Sequence, residues 1–374
     1  MTARCLSRPN RFEIDLGAIG HNVRQVRQLV GDATKIVTAL KANAYGFGLE
    51  PVARTVVAAG ADVIALADLS DAVLLRERAI LAPILLYPGN LIDAESVRAI
   101  QAYGFMPTVY DLDVARAYDS LATDSIRVLV KVDVGLERFG VTTTQAVSVV
   151  KEVQALEKLE VHGVYVHIDV PESPRAGEYI HWQFSRYSQI CNALEGAGLS
   201  ISMKMAASSA VLGFSLAMRM SAVDPGHMLF GLRPPGPREV DVTLRPAFHA
   251  LKSRLIHTRF IDRSEYLDMV PFTIRENMRF GVIPMGLRDG MANVNGGEVL
   301  VRGKTVSILG SPSLEHTRID LTDVPDAQVG DEVVIIGEQE GGFITADSVS
   351  EHQGFAVRAE LPLAVRDSVA RIYI

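Results

Sequence analysis

Between residues 35 and 223, short apolar runs rich in β-branched residues alternate with segments of helical spacing, and this alternation constrains the fold more than any other feature. The runs fall near 36–40, 63–67, 84–87, 106–109, 127–132, 161–167, 202–206 and 221–223. Short, wholly apolar strands are buried on both faces, and strands separated by helices pair in parallel. Eight such units close into a (β/α)8 TIM-type barrel more readily than they form an open sheet. A doubly wound sheet is the competing architecture, but no GxGxxG turn follows any of the strands. Ahead of the barrel, residues 11–16 (RFEIDL) alternate as a strand, and Ile19, Val23, Val26 and Val30 give 18–30 the spacing of a helix.

The pattern breaks at 233–237, RPPGP, which neither helix nor strand tolerates. Beyond it the spacing predicts strands at 248–258, 278–284, 298–301, 306–309, 317–321 and 332–336, with at most one short helix near 346–352. The expected division is a barrel domain with its leading strand, 1–235, and a β-rich domain, 236–374. A chain of 374 residues, 48% of them hydrophobic, suits a barrel plus a second module. A formal net charge of −7 argues against nucleic acid as a partner. Two cysteines, Cys5 and Cys191, make no disulfide framework. The sequence has neither an 18-residue apolar run nor the apolar segment of a signal peptide, so a cytoplasmic protein with no membrane partner is expected.

Chemistry concentrates in 35–48, KIVTALKANAYGFG. A lysine ending a buried strand is out of place on composition, but catalytic groups gather at the C-terminal strand ends of a barrel. Lys41 is therefore the candidate imine-forming amine, with Tyr45 and the Gly46–Gly48 loop placed to meet an anion. The plain alternative is a solvated lysine in a turn. The fifth barrel strand ends in KVDVGLERFG, where Lys131 interrupts an apolar run and must be paired or neutralised. Ser208 and Ser209 lie at a strand-to-helix junction suited to anions or to capping, and VDPGHMLFGL follows.

These segments, with EIDLGAIGHNVR near the start and ITADSVSEHQG near the end, resemble the alanine racemases, fold-type III enzymes that use pyridoxal 5′-phosphate (PLP). The resemblance implies that Lys41 carries the cofactor and that Arg138 points toward its phenolic oxygen. It also implies that Lys131 is carbamylated to hold Arg138, and that His167 lies against the cofactor ring. Tyr45, Ser209 and the backbone of Gly226 and His227 would take the phosphate. Several positions depart from the family pattern. Phe47 replaces a histidine, Ser208 an asparagine and Phe355 a phosphate-binding tyrosine. Asp224 stands where an arginine meets the pyridine nitrogen. Asp268, with Tyr266 nearby, stands where the partner subunit supplies a tyrosine base. Ser313, Leu314 and Glu315 occupy the substrate-contacting loop. The implied function is an amino-acid racemase or epimerase working as a homodimer with shared active sites. The alternatives are a PLP-dependent decarboxylase or aldol-type enzyme, or a PLP-binding protein without turnover.

Overall fold

The computed structural model describes residues 8–232, 236–261, 269, 272–275, 277–355 and 359–374. The chain divides into two compact units, Gly17–Arg245 and a second one made of residues 1–16 together with Pro246–Ile374.

The first unit is the barrel. After β1 (Arg11–Ile14), which belongs to the other unit, its strands are β2 (Lys35–Ala39), β3 (Val63–Leu66), β4 (Ile84–Leu86), β5 (Met106–Val109), β6 (Ile126–Asp133), a two-residue β7 (Val141–Thr142) paired with the last two residues of β6, β8 (Leu159–Tyr165), β9 (Met203–Ser208) and β10 (Ala222–Asp224). Apart from β7 they pair in parallel in chain order. The ring closes because β10 pairs with both β9 and β2. All eight expected strands are present, so the (β/α)8 barrel forms as expected. Its interior is filled by alternate residues from these strands, among them Val37, Ala65, Leu85, Met106, Leu129, Tyr165, Met203 and Met205. Helices 69–77, 94–103 and 112–121 each begin on an aspartate, Asp68, Asp93 or Asp111, whose carboxylate accepts a first-turn backbone N–H.

In the second unit β1 lies between β11 (Phe248–Arg254), antiparallel, and β19 (Ala370–Tyr373), parallel. This sheet runs in the order β15 (Lys304–Ser307), β14 (Glu298–Val301), β17 (Glu332–Gln339), β11, β1, β19, with β18 (Gly342–Ile344) on β17. A separate three-stranded sheet joins β12 (His257–Phe260), β13 (Arg279–Ile283) and β16 (Thr317–Asp320).

The structure changes several expectations. The leading strand packs with the β domain rather than the barrel, because Phe12 and Ile14 are fully buried there. The division expected at 235/236 lies at Arg245/Pro246. Although residues 236–247 form neither helix nor strand, the amides of Glu239 and Val240 still donate to the Gly213 carbonyl. Asn22 also bonds both the N–H and the C=O of Arg245, so the segment stays on the barrel. The single strand expected at 248–258 is two strands in different sheets. Beside the helix Ala346–Gln353, a second short helix spans Glu360–Ala364.

Candidate active site

Lys41 follows β2, and the four residues after it, Ala42 to Tyr45, all have φ between 53° and 55°. For Ala42, Asn43 and Ala44, ψ is also near +50°, which makes this a left-handed turn built from non-glycine residues. Each such residue costs about 1–2 kcal/mol. The turn is held by Ala44 N–H to Leu40 O (3.0 Å), by Gly48 N–H to Asn43 O (3.0 Å) and by Leu49 N–H to Asn43 Oδ1 (2.7 Å). Strain retained in this way is typical of a residue whose orientation matters. It turns Lys41 and Tyr45 into a cavity of about 470 Å³ at the C-terminal ends of the barrel strands.

Ten of the residues singled out from the sequence line that cavity: Lys41, Tyr45, Lys131, Arg138, His167, Ser208, Ser209, Asp224, Gly226 and His227. At one pole, Ser209 Oγ accepts the backbone N–H groups of Gly226 (2.9 Å) and Met228 (3.1 Å). A Cβ on Gly226 would lie 2.7 Å from the Tyr45 hydroxyl, so only glycine lets the phenol approach this backbone. The rings of Tyr45 and His227 are 5.5 Å apart. With both amides donating to its oxygen, Ser209 keeps its own hydroxyl hydrogen to donate, and with the Tyr45 phenol it forms an anion-binding pole. Burial, assisted by Asp224, pushes the Tyr45 phenol up to about 12, so it remains a donor. Ser208 precedes the helix Ser209–Phe214, but its side chain makes no capping bond. Phe47 stacks on Phe230 at 4.6 Å and 4°, an apolar use of the position where the family pattern has histidine.

The middle of the cavity is cationic. Lys41 is lowered from its ordinary pKa by burial of its amine and by Arg138, with Asp224 opposing. Lys131 is 5% exposed, and its ammonium lies 4.7 Å above the centre of the Tyr165 ring. Burial brings it down to about 8. Asp133, the carboxylate closest to Lys131 along the strand, instead accepts the backbone N–H groups of Gly135, Leu136 and Arg138 and so shapes the loop bearing Arg138. His167, two residues past β8, is brought down to about 3 by burial and by the charges of Lys131, Lys41 and Arg138, so its imidazole is neutral. Tyr165 ends β8 inside the barrel, with its hydroxyl 3.0 Å from Thr108 Oγ1.

Deepest among the carboxylates of the cavity is that of Asp224, a buried residue that ends β10. Burial pushes its carboxyl up to about 7 against the pull of Lys131 and Lys41. Its Oδ1 is buried with no hydrogen-bond partner. Oδ2 faces the Tyr87 hydroxyl at 3.5 Å. Sequence reasoning missed Tyr87; its only signal there was a polar aromatic residue closing the third barrel strand. Tyr266 and Asp268 lie outside the described residues. Ser313, Leu314 and Glu315 belong to the other unit and are not among the residues lining this cavity. Their loop is docked on 286–288 by Leu287 N–H to Ser313 O (3.0 Å) and Arg288 N–H to Leu314 O (3.1 Å). Glu315 pairs there with Arg288 (2.9 Å) and with Arg8. No cluster of three or more His, Cys, Asp or Glu side chains suited to a metal occurs among the described residues.

An amine at a barrel strand end, an anion pole and a carboxylate oxygen lacking a donor together fit an aldehyde cofactor that carries a phosphate and a ring nitrogen. They define the cofactor-binding barrel of an enzyme. Residues 14–234 match the alanine racemase N-terminal domain family and residues 249–373 the C-terminal domain family, so the chain belongs to the alanine racemase family, whose members depend on PLP. It is 32% identical to alanine racemase 2 of Caldanaerobacter subterraneus subsp. tengcongensis, covering 98% of this chain and 95% of that protein. It is 31% identical to the alanine racemase of Desulforamulus reducens, covering 99% and 100%. Among solved structures, the alanine racemase of E. faecalis superposes with a TM-score of 0.88 at 26% identity, covering 98% of both chains. That of Bacillus anthracis with bound L-Ala-P superposes with a TM-score of 0.86 at 26% identity, covering 98% and 95%.

Proposed function

We propose that this chain is a PLP-dependent amino-acid racemase in which Lys41 both carries the cofactor and moves the α-proton of the substrate. The observation that carries this reading is the Lys41 amine, with its basicity lowered, in one cavity with the Tyr45–Ser209–Gly226 anion pole. PLP, when bound, withdraws electrons from the α-carbon of an amino acid joined to it. The residues of this chain do the rest. Tyr45 and Ser209, with the backbone of the Gly226–His227 turn behind them, would hold a phosphate. Neutral His167 offers a ring face. Lys41 Nζ, its basicity lowered by burial and by Arg138, accepts and returns a proton at Cα. Asp224 would hold a protonated ring nitrogen, its Oδ1 being the oxygen that no other donor reaches. A Lys131 amine lowered to about 8 is neutral often enough to take up carbon dioxide, releasing a proton and becoming a carbamate beside Arg138. The base on the opposite face is assigned to Asp268 or Tyr266 of a second copy, with loop 313–315 beside it, which makes the working protein a homodimer. A cytoplasmic location accords with the absence, among the described residues, of a helix able to cross a membrane.

Asp224 favours a second reading. A carboxylate there would favour a protonated ring nitrogen, which would suit decarboxylation or aldol-type cleavage as well as racemisation. Two measurements test these readings. Borohydride reduction of the yellow protein should leave a pyridoxyl mass on the Lys41 peptide, and Lys41→Ala should fold without the colour. A label on another lysine, or none, refutes the assignment. Incubation with the common amino acids, resolving enantiomers, amines and aldehydes, should return the enantiomer of at least one of them. Amines or aldehydes in its place would establish the second reading.

A further inference from the structure

Asp224 is 8% exposed and ends a barrel strand. A buried carboxylate oxygen without a donor costs of the order of several kcal/mol unless the group takes up a proton or a ligand supplies a donor. Of its two oxygens, Oδ1 has none, and Oδ2 has only the Tyr87 phenol at 3.5 Å. Tyr87 is well placed for this role. Its backbone N–H is fixed to Leu66 O at 2.8 Å. Its ring packs against Tyr165 at 6.2 Å between centroids, and Tyr165 is in turn anchored to Thr108. The phenol lines the same cavity as the anion pole formed by Tyr45 and Ser209. Burial and the negative charge of Asp224 hold Tyr87 well above its ordinary pKa, so toward Asp224 it can only donate.

We propose that Tyr87 is a positioning residue of this site: its phenol donates to the Asp224 carboxylate, fixes which oxygen is left for the ring nitrogen of the cofactor, and keeps the pair an ionised acceptor. The proposal rests on the cofactor reading above. The other groups facing Asp224 are Lys131 from β6, Lys41 after β2, Tyr45 from the left-handed turn and Tyr165 from β8. The two lysines favour its charge, and the phenols of Tyr45 and Tyr165 are held un-ionised by burial, with Asp224 adding to it. Tyr87 is the only one of them within hydrogen-bonding range of its oxygens among the described residues. Removing the phenol oxygen therefore leaves Asp224 with two bare oxygens and drives it toward the neutral acid.

The test has a cofactor-free arm and a loaded arm. In protein stripped of cofactor, the infrared carbonyl band of a protonated carboxyl, assigned by its loss in Asp224→Asn, should titrate near neutrality. In Tyr87→Phe the midpoint should move upward by about one pH unit, the size of one lost hydrogen bond to a charged group. In protein loaded with PLP, the pH midpoint of the cofactor's absorption change should move in the same direction in Tyr87→Phe and disappear in Asp224→Asn. If wild-type protein takes up no PLP, the cofactor reading fails and this proposal with it. If Asp224→Asn alters both titrations while Tyr87→Phe leaves both at the wild-type midpoint, the cofactor reading stands and the role of Tyr87 is refuted. Should Tyr87→Phe not fold, a crystal structure of loaded wild-type protein decides. A phenol oxygen within about 3.0 Å of an Asp224 oxygen supports the proposal, and one farther than that from both refutes it.

Discussion

Among the titratable residues lining the barrel cavity, Asp224 combines near-complete burial with an oxygen that no donor reaches, and this has a consequence for stability that is independent of turnover. Its folded pKa of about 7 lies above the ordinary 3.8. A carboxyl raised on folding contributes fully below the unfolded value, and that contribution is lost as pH rises through the folded value. In cofactor-free protein, Asp224→Asn should therefore melt at a higher temperature than wild type at pH 8. The gap should close between about 7 and 3.8 as pH falls, and calorimetry across that window checks it. A gap independent of pH would mean that Asp224 is not the group titrating. Gly226 makes a second residue-scale case. A methyl group there meets the Tyr45 hydroxyl at 2.7 Å and must displace it. Gly226→Ala should leave the barrel folded yet weaken PLP binding by at least about tenfold, or about 1.4 kcal/mol, in a fluorescence titration.

At the scale of elements, the strand-end turns carry the site. The turn after β2 places four consecutive non-glycine residues at positive φ, a cost that is tolerated because backbone bonds and Asn43 close it on both sides. In the β domain the loop bearing Ser313–Glu315 is seated by close backbone contact. A Cβ on Gly286 would lie 2.5–2.7 Å from Ser313 O, Glu315 N and His316 N. Backbone atoms cannot rotate aside, so Gly286→Ala should destabilise the protein by about 2–3 kcal/mol in urea unfolding. Gly296 has φ +75°, and a methyl group added there would meet nothing within 4 Å, so Gly296→Ala should cost only about 1 kcal/mol of backbone strain. Equal losses at the two positions would show that the loop is not held by this contact.

At the scale of the whole molecule, a site completed by a second copy requires a species of about twice 40.6 kDa in analytical ultracentrifugation. Turnover by a monomer would refute the shared-site proposal. Much of the molecule is legible in the sequence because its determinants are local. Apolar runs and helical spacing depend on neighbours along the chain, so the eight barrel strands fall where the sequence places them. A lysine closing such a run is visible for the same reason. Non-local decisions were not legible. That Phe12 and Ile14 carry β1 into a sheet between β11 and β19 depends on segments more than 200 residues away. The chain keeps to the barrel as far as Arg245 because Asn22 reaches it, although residues 236–245 carry no helix or strand. Tyr87 and Asp224 are 137 residues apart, and no periodicity links them. Sequence determined which segments become strands and where an amine would stand. Only closure of the barrel brought that phenol to that carboxylate, because pairing across a ring is set by packing and register rather than by spacing along the chain.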